Sequence, residues 1–198
     1  MSKNDNQEHD HNESFSSPHP KYLDSYVKLT NARCIFITED FTKEMSSAVS
    51  ALLFHFDNES NEEITIYISS NGGDSTALHC IVDTIQMISA PVSTVCLGTA
   101  YSAAAFLLSA GAKGRRFAMK HCEIMIHSVS CLFPLPGEAS AVASKNYLGF
   151  INTVNDGVLN ILVKNTGKTL KQVREDCSRD FFMTAPEAKK YGMIDDIL

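Results

Sequence analysis

The sequence predicts an α/β fold with a mainly parallel sheet and helices flanking it. Short apolar segments of strand length alternate with segments whose apolar residues recur at helical spacing. The segment "EITIYIS" at 63–69 is β-branched and almost entirely apolar, as expected for a sheet covered on both faces. Strands and helices that alternate in this way are joined by right-handed crossovers, so the strands should run parallel.

The elements up to residue 98 are separated by clear breaks. Gly72 and Gly73 interrupt the chain after the second strand, and Pro91 ends the following helix. In order, the predicted elements are a strand at 34–38 ("CIFIT"), a helix at 43–59, a strand at 63–69, a helix at 75–88 and a strand at 92–98 ("VSTVCLG").

The second half of the chain continues the alternation. It predicts a helix at 102–112 ("SAAAFLLSAGA"), a strand at 122–127 ("CEIMIH"), a long helix at about 138–164, a further helix from near Thr169, and the closing segment "GMIDDIL". Residues 1–20 are polar, with three histidines and few apolar side chains, which predicts a disordered tail or a processed leader. Residues 21–198 should form a single domain.

Composition excludes several classes of protein. The net charge of −6 offers no basic surface for nucleic acid, and no apolar run is long enough for a membrane span. The N-terminus lacks the apolar core of a signal peptide, which predicts a cytoplasmic protein. Six scattered cysteines without a C-x-x-C pair indicate reduced thiols rather than a metal site or a disulfide framework. No phosphate-binding glycine motif occurs, so nucleotide binding has no support.

Ligand sites in such folds lie at the turns between the end of a strand and the start of a helix, and two of these turns contain candidate residues. At Gly72 and Gly73 the chain can adopt positive φ, and at Ser102 a hydroxyl lies near a helix N-terminus. Taken alone, Ser102 is more often a helix N-cap and the glycine pair is more often a simple turn. His127 alone is more often a structural histidine, and Asp180 a surface or capping acid.

Together, these residues match the requirements of a serine nucleophile. Such a site needs a base to take the hydroxyl proton, an acid to orient the base, and N–H donors for the oxyanion. Ser102, His127 and Asp180 supply the first three groups, and the N–H groups of Gly73 and Ala103 supply the donors. The combination predicts acyl transfer, with the chain order Ser, His, Asp.

The segment "PVSTVCLGTAYSAAAFLLSAGAKGRRFAMKHCEIMIH" closely resembles the core of the Clp protease proteolytic subunit (ClpP) family. The segments "IYISSNGGD" and "NTGKTLKQVREDCSRDFFMTAPEAKKYGMIDDIL" resemble two further motifs of that family, and the similarity runs from about Arg33 to Leu198. Gly73 precedes Ser102 by 29 positions and His127 follows it by 25, as in the family. The resemblance implies the crotonase-like fold, which is built from repeated β-β-α units.

The resemblance also implies roles and partners. Ser102 would be the nucleophile, His127 the general base and Asp180 the orienting acid, with Gly73 and Ala103 as oxyanion donors and Arg179 in contacts between rings. It implies an endopeptidase for unfolded proteins and peptides, assembled as two stacked heptameric rings. It implies no metal and no organic cofactor, with ATP used only by an AAA+ unfoldase partner.

Several positions depart from the family pattern. His127 and Asp180 lie 53 positions apart, about four more than is usual, and the excess falls in "SVSCLFPLPGE", where Pro134 and Pro136 remove strand donors. Asp74 and Ser75 replace two apolar residues that face the substrate, which predicts a more polar subsite. Ser178 replaces an aspartate beside Arg179; Tyr67 of the ATPase-docking pocket is present, but a neighbouring tyrosine is Thr65.

Two other functions stay open at this stage. One is a catalytically silent ring subunit of the same family, which typically lacks part of the triad. The other is a crotonase-type acyl-CoA enzyme, which has the same fold and a two-amide oxyanion site but usually carboxylates at the reacting centre. The complete set of Ser102, His127 and Asp180 favours the peptidase.

Overall fold

A seven-stranded sheet organises the part of the chain that the structure, a computed structural model, describes: residues 22–129 and 141–198. The chain divides into two units, one ending at Ala32 and the other spanning Arg33–Leu198. The first contributes helix α1 (Leu23–Asn31), none of whose residues is buried and which the sequence did not predict.

The second unit holds the remaining elements in an order that alternates strands and helices. These are β1 (Cys34–Ile37), α2 (Lys43–Glu59), β2 (Ile64–Ser70), α3 (Ser75–Met87), β3 (Val92–Tyr101), α4 (Ala103–Ser109), β4 (Arg116–Ala118), β5 (Glu123–Ile126), α5 (Ala141–Thr166), α6 (Leu170–Asp176), β6 (Phe181–Thr184), α7 (Ala185–Tyr191) and β7 (Asp196–Ile197). The predicted tail at 1–20, the insertion with Pro134 and Pro136, and the predicted helix start at 138 lie outside the described residues.

The sheet has the order β1-β2-β3-β4-β7, and all of these neighbours pair in parallel. Strand β5 pairs in parallel with the second half of β3, and β6 pairs antiparallel with β5. The mixed α/β architecture with a mainly parallel sheet confirms the predicted fold class and is consistent with the crotonase-like fold.

Strand β3 pairs with β2 and also with two further strands, β4 and β5, at successive parts of its length. Its pairing with β2 shifts between the partners of Ile68 and Ser70, which marks a bulge in the ladder. Residues 94–96 pair with β4, whereas residues 99–101 pair with β5. The end of β3 therefore lies beside β5, which positions the turn at Ser102.

Helix α4 is buried along its whole length against this sheet. All seven of its residues are buried, three of them alanines that allow close approach of the backbone. The sequence predicted a helix over 102–112, but α4 ends at Ser109, where the chain turns towards β4. That turn and the start of β4 are fixed by Arg116, which is almost fully buried.

The Arg116 guanidinium joins β4 to the end of α5, to the residue that follows α7, and to the residue that precedes β7. It makes two hydrogen bonds to the Asp195 carboxylate, at 2.7 and 2.9 Å, and donates to the carbonyls of Asn165 and Gly192 at 3.0 and 2.9 Å. The C-terminal strand is thereby tied to the end of α5. These hydrogen bonds lower the pKa of Asp195.

Helix α5 has 26 residues, yet neither it nor any other described helix is both long and apolar enough to cross a membrane. The cysteines within the described ranges are free thiols, and Cys131 lies outside them.

Candidate active site

Ser102 lies between β3 and α4 in a strained backbone conformation. Its φ is 51° and its ψ is −124°, whereas non-glycine residues rarely adopt positive φ. Its N–H donates to the carbonyl of Met125 at 2.8 Å, and its carbonyl accepts from the N–H of Ala105 at 2.9 Å. The strand β5 and the buried helix α4 thus hold the turn from both sides.

The Ser102 hydroxyl does not cap the helix. Ser102 occupies the N-cap position of α4, but its side chain makes no capping hydrogen bond. Instead Oγ lies 2.8 Å from Nε2 of His127. His127 directly follows β5, which pairs with the end of β3, so the two side chains start from adjacent strand ends. The simple N-cap interpretation of Ser102 is wrong.

Asp180 lies on the other side of the imidazole. Oδ1 of Asp180 is 3.1 Å from Nδ1 of His127. This contact follows from the antiparallel pairing of β5 and β6, in which Ile126 faces Phe181 and the flanking residues are neighbours. The Asp180 side chain is 59% exposed and that of His127 is 26% exposed. The structure therefore brings Ser102, His127 and Asp180 into one hydrogen-bonded chain.

The glycine turn lies against Ser102 and has no room for side chains. Gly72 has a φ of +97°, and a Cβ built on it would lie 2.6 Å from the Tyr101 carbonyl oxygen and 2.8 Å from the Ser102 Cβ. Its position would also be 2.9 Å from the Ala103 nitrogen. Only glycine permits this approach between the two turns.

Main-chain atoms of Phe41 hydrogen-bond to the residues on both sides of Gly73. The Phe41 N–H donates to the Gly72 carbonyl at 2.8 Å, and the Phe41 carbonyl accepts from the Asp74 N–H at 2.9 Å. Gly73 has a φ of +143°, and a Cβ there would lie 2.6 Å from the Phe41 carbonyl oxygen. Sequence analysis missed Phe41, because no local pattern signals a backbone contact between separate crossover units.

The two predicted oxyanion donors are Ala103, which directly follows Ser102, and Gly73, which follows the glycine that packs against Ser102. Within the described residues, neither the Gly73 N–H nor the Ala103 N–H donates to a protein acceptor. Ala103 is the first residue of α4, where helical N–H groups have no partner inside the helix. Two such donors beside a serine hydroxyl are what an oxyanion site requires.

A cleft of about 230 Å³ opens onto these groups. Ser102, His127, Gly73 and Ala103 line one part of it. Its apolar wall consists of Leu78, Phe106, Val129 and Val158, and Asp74 and Ser75 add polar groups. The sequence pointed to Asp74 and Ser75 but not to the apolar wall, whose four members come from four separate segments: α3, α4, the residues after β5, and α5.

Asp176, the last residue of α6, is half-buried and hydrogen-bonded rather than freely solvated. Its carboxylate accepts hydrogen bonds from the Tyr191 hydroxyl and from Nε2 of Gln172, each at 2.8 Å. Burial, together with the hydrogen bond to Asp176, raises the pKa of Tyr191. Asp176 thus links α6 to α7, while Asp180 contacts His127. Arg179, the predicted ring-contact residue, is exposed.

Tyr101, which precedes Ser102, is a further residue that sequence analysis missed. Its hydroxyl donates to Oε2 of Glu123 at 2.5 Å, and that hydrogen bond raises the pKa of Tyr101. The ring also meets Phe182 edge to face, with the centroids 5.8 Å apart. Among residues 22–129 and 141–198, no group of three or more His, Cys, Asp or Glu side chains is placed to hold a metal ion.

Comparison with protein families gives one match that covers most of the chain. The family model described as Clp protease matches residues 17–198. The match includes both glycine and serine turns, the strand that precedes His127, and the C-terminal segment. It confirms the resemblance seen in the sequence motifs.

Proposed function

The chain belongs to the Clp protease family, and on that basis we propose that it is a serine endopeptidase that cleaves unfolded proteins and peptides. One observation carries the proposal. Ser102 Oγ, His127 and Asp180 form a continuous chain of hydrogen bonds beside two N–H groups that have no protein acceptor in the described part.

In the first step, His127 acts as the general base. Its Nδ1–H donates to Asp180, which leaves Nε2 free to accept the Ser102 proton as Oγ attacks the carbonyl carbon of the scissile bond. The C=O bond becomes a C–O⁻ bond in the tetrahedral intermediate. The Asp180 carboxylate stabilises the imidazolium that forms.

The negative oxygen of that intermediate would be bound by Gly73 and Ala103. Both residues line the same cleft as Ser102, and Ala103 adds the positive end of the buried helix α4. His127 then gives its proton to the leaving amine, and the C–N bond breaks to leave an acyl-enzyme. Water attacks the ester in the same way, with His127 again the base, and restores the Ser102 hydroxyl.

The assembly and partners belong to the same proposal. We assign the protein to stacked heptameric rings, with Arg179 at the contact between rings. The exposed apolar residues Val142, Leu148 and Phe150 of α5 support self-association, because exposed groups of this kind commonly mark interfaces.

We place the protein in the cytoplasm, with ATP hydrolysed only by an AAA+ unfoldase partner and no metal or organic cofactor in the peptide chemistry. The presence of Tyr67, which matches a residue of the family's ATPase-docking pocket, supports that partnership; its ring stacks on Phe36, with the centroids 4.9 Å apart.

The proposal is tested by covalent labelling of the assembled protein with diisopropyl fluorophosphate. We expect one phosphoryl group on Ser102, located by peptide mass spectrometry, and no label on Ser102→Ala. Hydrolysis of a fluorogenic peptide should be lost in the same variant. Absence of Ser102 labelling in an assembled ring would favour the silent subunit, and acyl-CoA turnover without peptide hydrolysis would favour the crotonase-type enzyme.

A further inference from the structure

Asp74 gives the cleft beside Ser102 a negative charge. It follows Gly73 directly, and it is the only carboxylate among the described residues that line the cleft. His127 is the other titratable residue there, and it must be neutral to act as a base. Asp74 is therefore the carboxylate that lines the cleft in which a substrate would bind.

The Asp74 carboxylate is half engaged by the protein. Oδ1 caps helix α3 by accepting from the N–H groups of Thr76 and Ala77, at 2.6 and 3.0 Å. Neither a hydrogen bond nor an ion pair to the second oxygen occurs among the described residues. One oxygen thus fixes the side chain, and the other remains able to accept from a ligand.

We infer that Asp74 makes this cleft select a lysine or arginine side chain on the substrate residue that supplies the scissile carbonyl. The inference rests on the proposed peptidase function and adds its substrate class. Long basic side chains combine an apolar stem with a charged head. Leu78, Phe106 and Val158 offer the stem an apolar wall, and Asp74 offers the head an acceptor.

The experiment uses two peptidyl diphenyl phosphonates that differ only in the side chain beside phosphorus, which is either that of lysine or that of norleucine, the same four-carbon chain without the amino group. Ser102 Oγ displaces one phenoxide from phosphorus, and the serine proton leaves through His127 to give phenol. The rate constant for labelling Ser102 is measured by mass spectrometry on the full-length assembled protein. We expect the lysine probe to react about five- to tenfold faster than the norleucine probe.

Asp74→Asn should bring the ratio of the two rates close to one. Asparagine is as good an N-cap as aspartate, so this variant removes the charge while helix α3 keeps its cap. Asp83→Asn is the matched control, because Asp83 is an exposed residue of the same helix outside the cleft, and it should keep the wild-type ratio.

Each other outcome is decisive. Three results would overturn the inference and leave the peptidase function standing. The two probes could react at equal rates with the wild type, or Asp74→Asn could leave the ratio of the rates unchanged. Ser102 could also react with the fluorophosphate but with neither peptidyl probe. Failure of all three reagents to label Ser102 would overturn the proposed function, and the inference with it.

Discussion

Replacing Asp180 with asparagine tests whether this carboxylate supports His127 during catalysis. Asparagine keeps the size of the side chain but removes the charge that faces Nδ1 at 3.1 Å. Its amide can also donate to Nδ1, which favours the tautomer with the proton on Nε2. That tautomer cannot accept the Ser102 proton, so the general base is lost.

The expected loss follows from the distance and the exposure. Two unit charges 3.1 Å apart attract by about 1.3 kcal/mol in water and by about 5 kcal/mol at an effective dielectric constant of 20. These energies correspond to about tenfold and about 10⁴-fold in rate. With Asp180 59% exposed in the single chain, the charge effect lies near the lower figure. Loss of the correct tautomer adds to it, so we expect kcat to fall by about 10² to 10⁴.

The assay is hydrolysis of a fluorogenic peptide by the assembled protein, followed with and without the substitution. Asp176→Asn is the control, because Asp176 is also a carboxylate of the same segment but bonds Tyr191 and Gln172. It should stay within about threefold of wild-type kcat and lose about 1 kcal/mol of unfolding free energy. If Asp176→Asn abolished hydrolysis while Asp180→Asn left it intact, the assignment of the third catalytic residue would be refuted.

Three further predictions concern the turn and the core. Gly72→Ala should lower the free energy of unfolding, measured in urea, by about 2–5 kcal/mol and slow Ser102 labelling. Gly114 also has a positive φ, but a Cβ there would meet no atom within 4 Å, so Gly114→Ala should cost only about 1–2 kcal/mol. Arg116→Met should cost about 3–5 kcal/mol in the same assay, because it leaves a partly buried carboxylate unpaired; a loss below 1 kcal/mol would contradict this. The Arg116 hydrogen bonds lower the pKa of Asp195, so their stabilisation should be present above the unfolded-state value of about 3.9 and fade as pH falls towards the folded-state pKa; Asp195→Asn should abolish that slope in acid unfolding curves.

Periodicity predicted the strands and helices that bury a continuous apolar face. The segments 34–38, 63–69 and 92–98 correspond to β1, β2 and β3, and 43–59 matches α2 in full. The sequence did not predict β4, because three residues are too few to show a period. Helix α1 was not predicted either: Leu23, Tyr26 and Val27 recur at helical spacing, but none of the residues of this helix is buried.

The predicted ends of strands and helices were wrong where contacts with residues distant in the sequence determine them. β3 extends to Tyr101, beyond the predicted end at residue 98, because its last residues pair with β5. The candidate site, too, depends on contacts between residues that are distant in the sequence. Local pattern singled out the turns at Gly73 and Ser102, but it could not separate a catalytic hydroxyl from an N-cap. That distinction depends on His127, which the sheet brings to Oγ. The sequence offered Asp180 as the orienting acid, but its contact with His127 depends on the pairing of β5 with β6.

The attachment of the glycine turn to Phe41 has a consequence for mutational tolerance. Both hydrogen bonds between Phe41 and the turn use main-chain atoms of Phe41, so they do not depend on the identity of the side chain at that position. Other apolar residues that fill the same buried space should keep the donor geometry beside Ser102. Proline alone lacks the N–H that binds Gly72. In a saturation screen at position 41, most substitutions would therefore report how well the new side chain fills the core, and proline alone would report the geometry of the glycine turn.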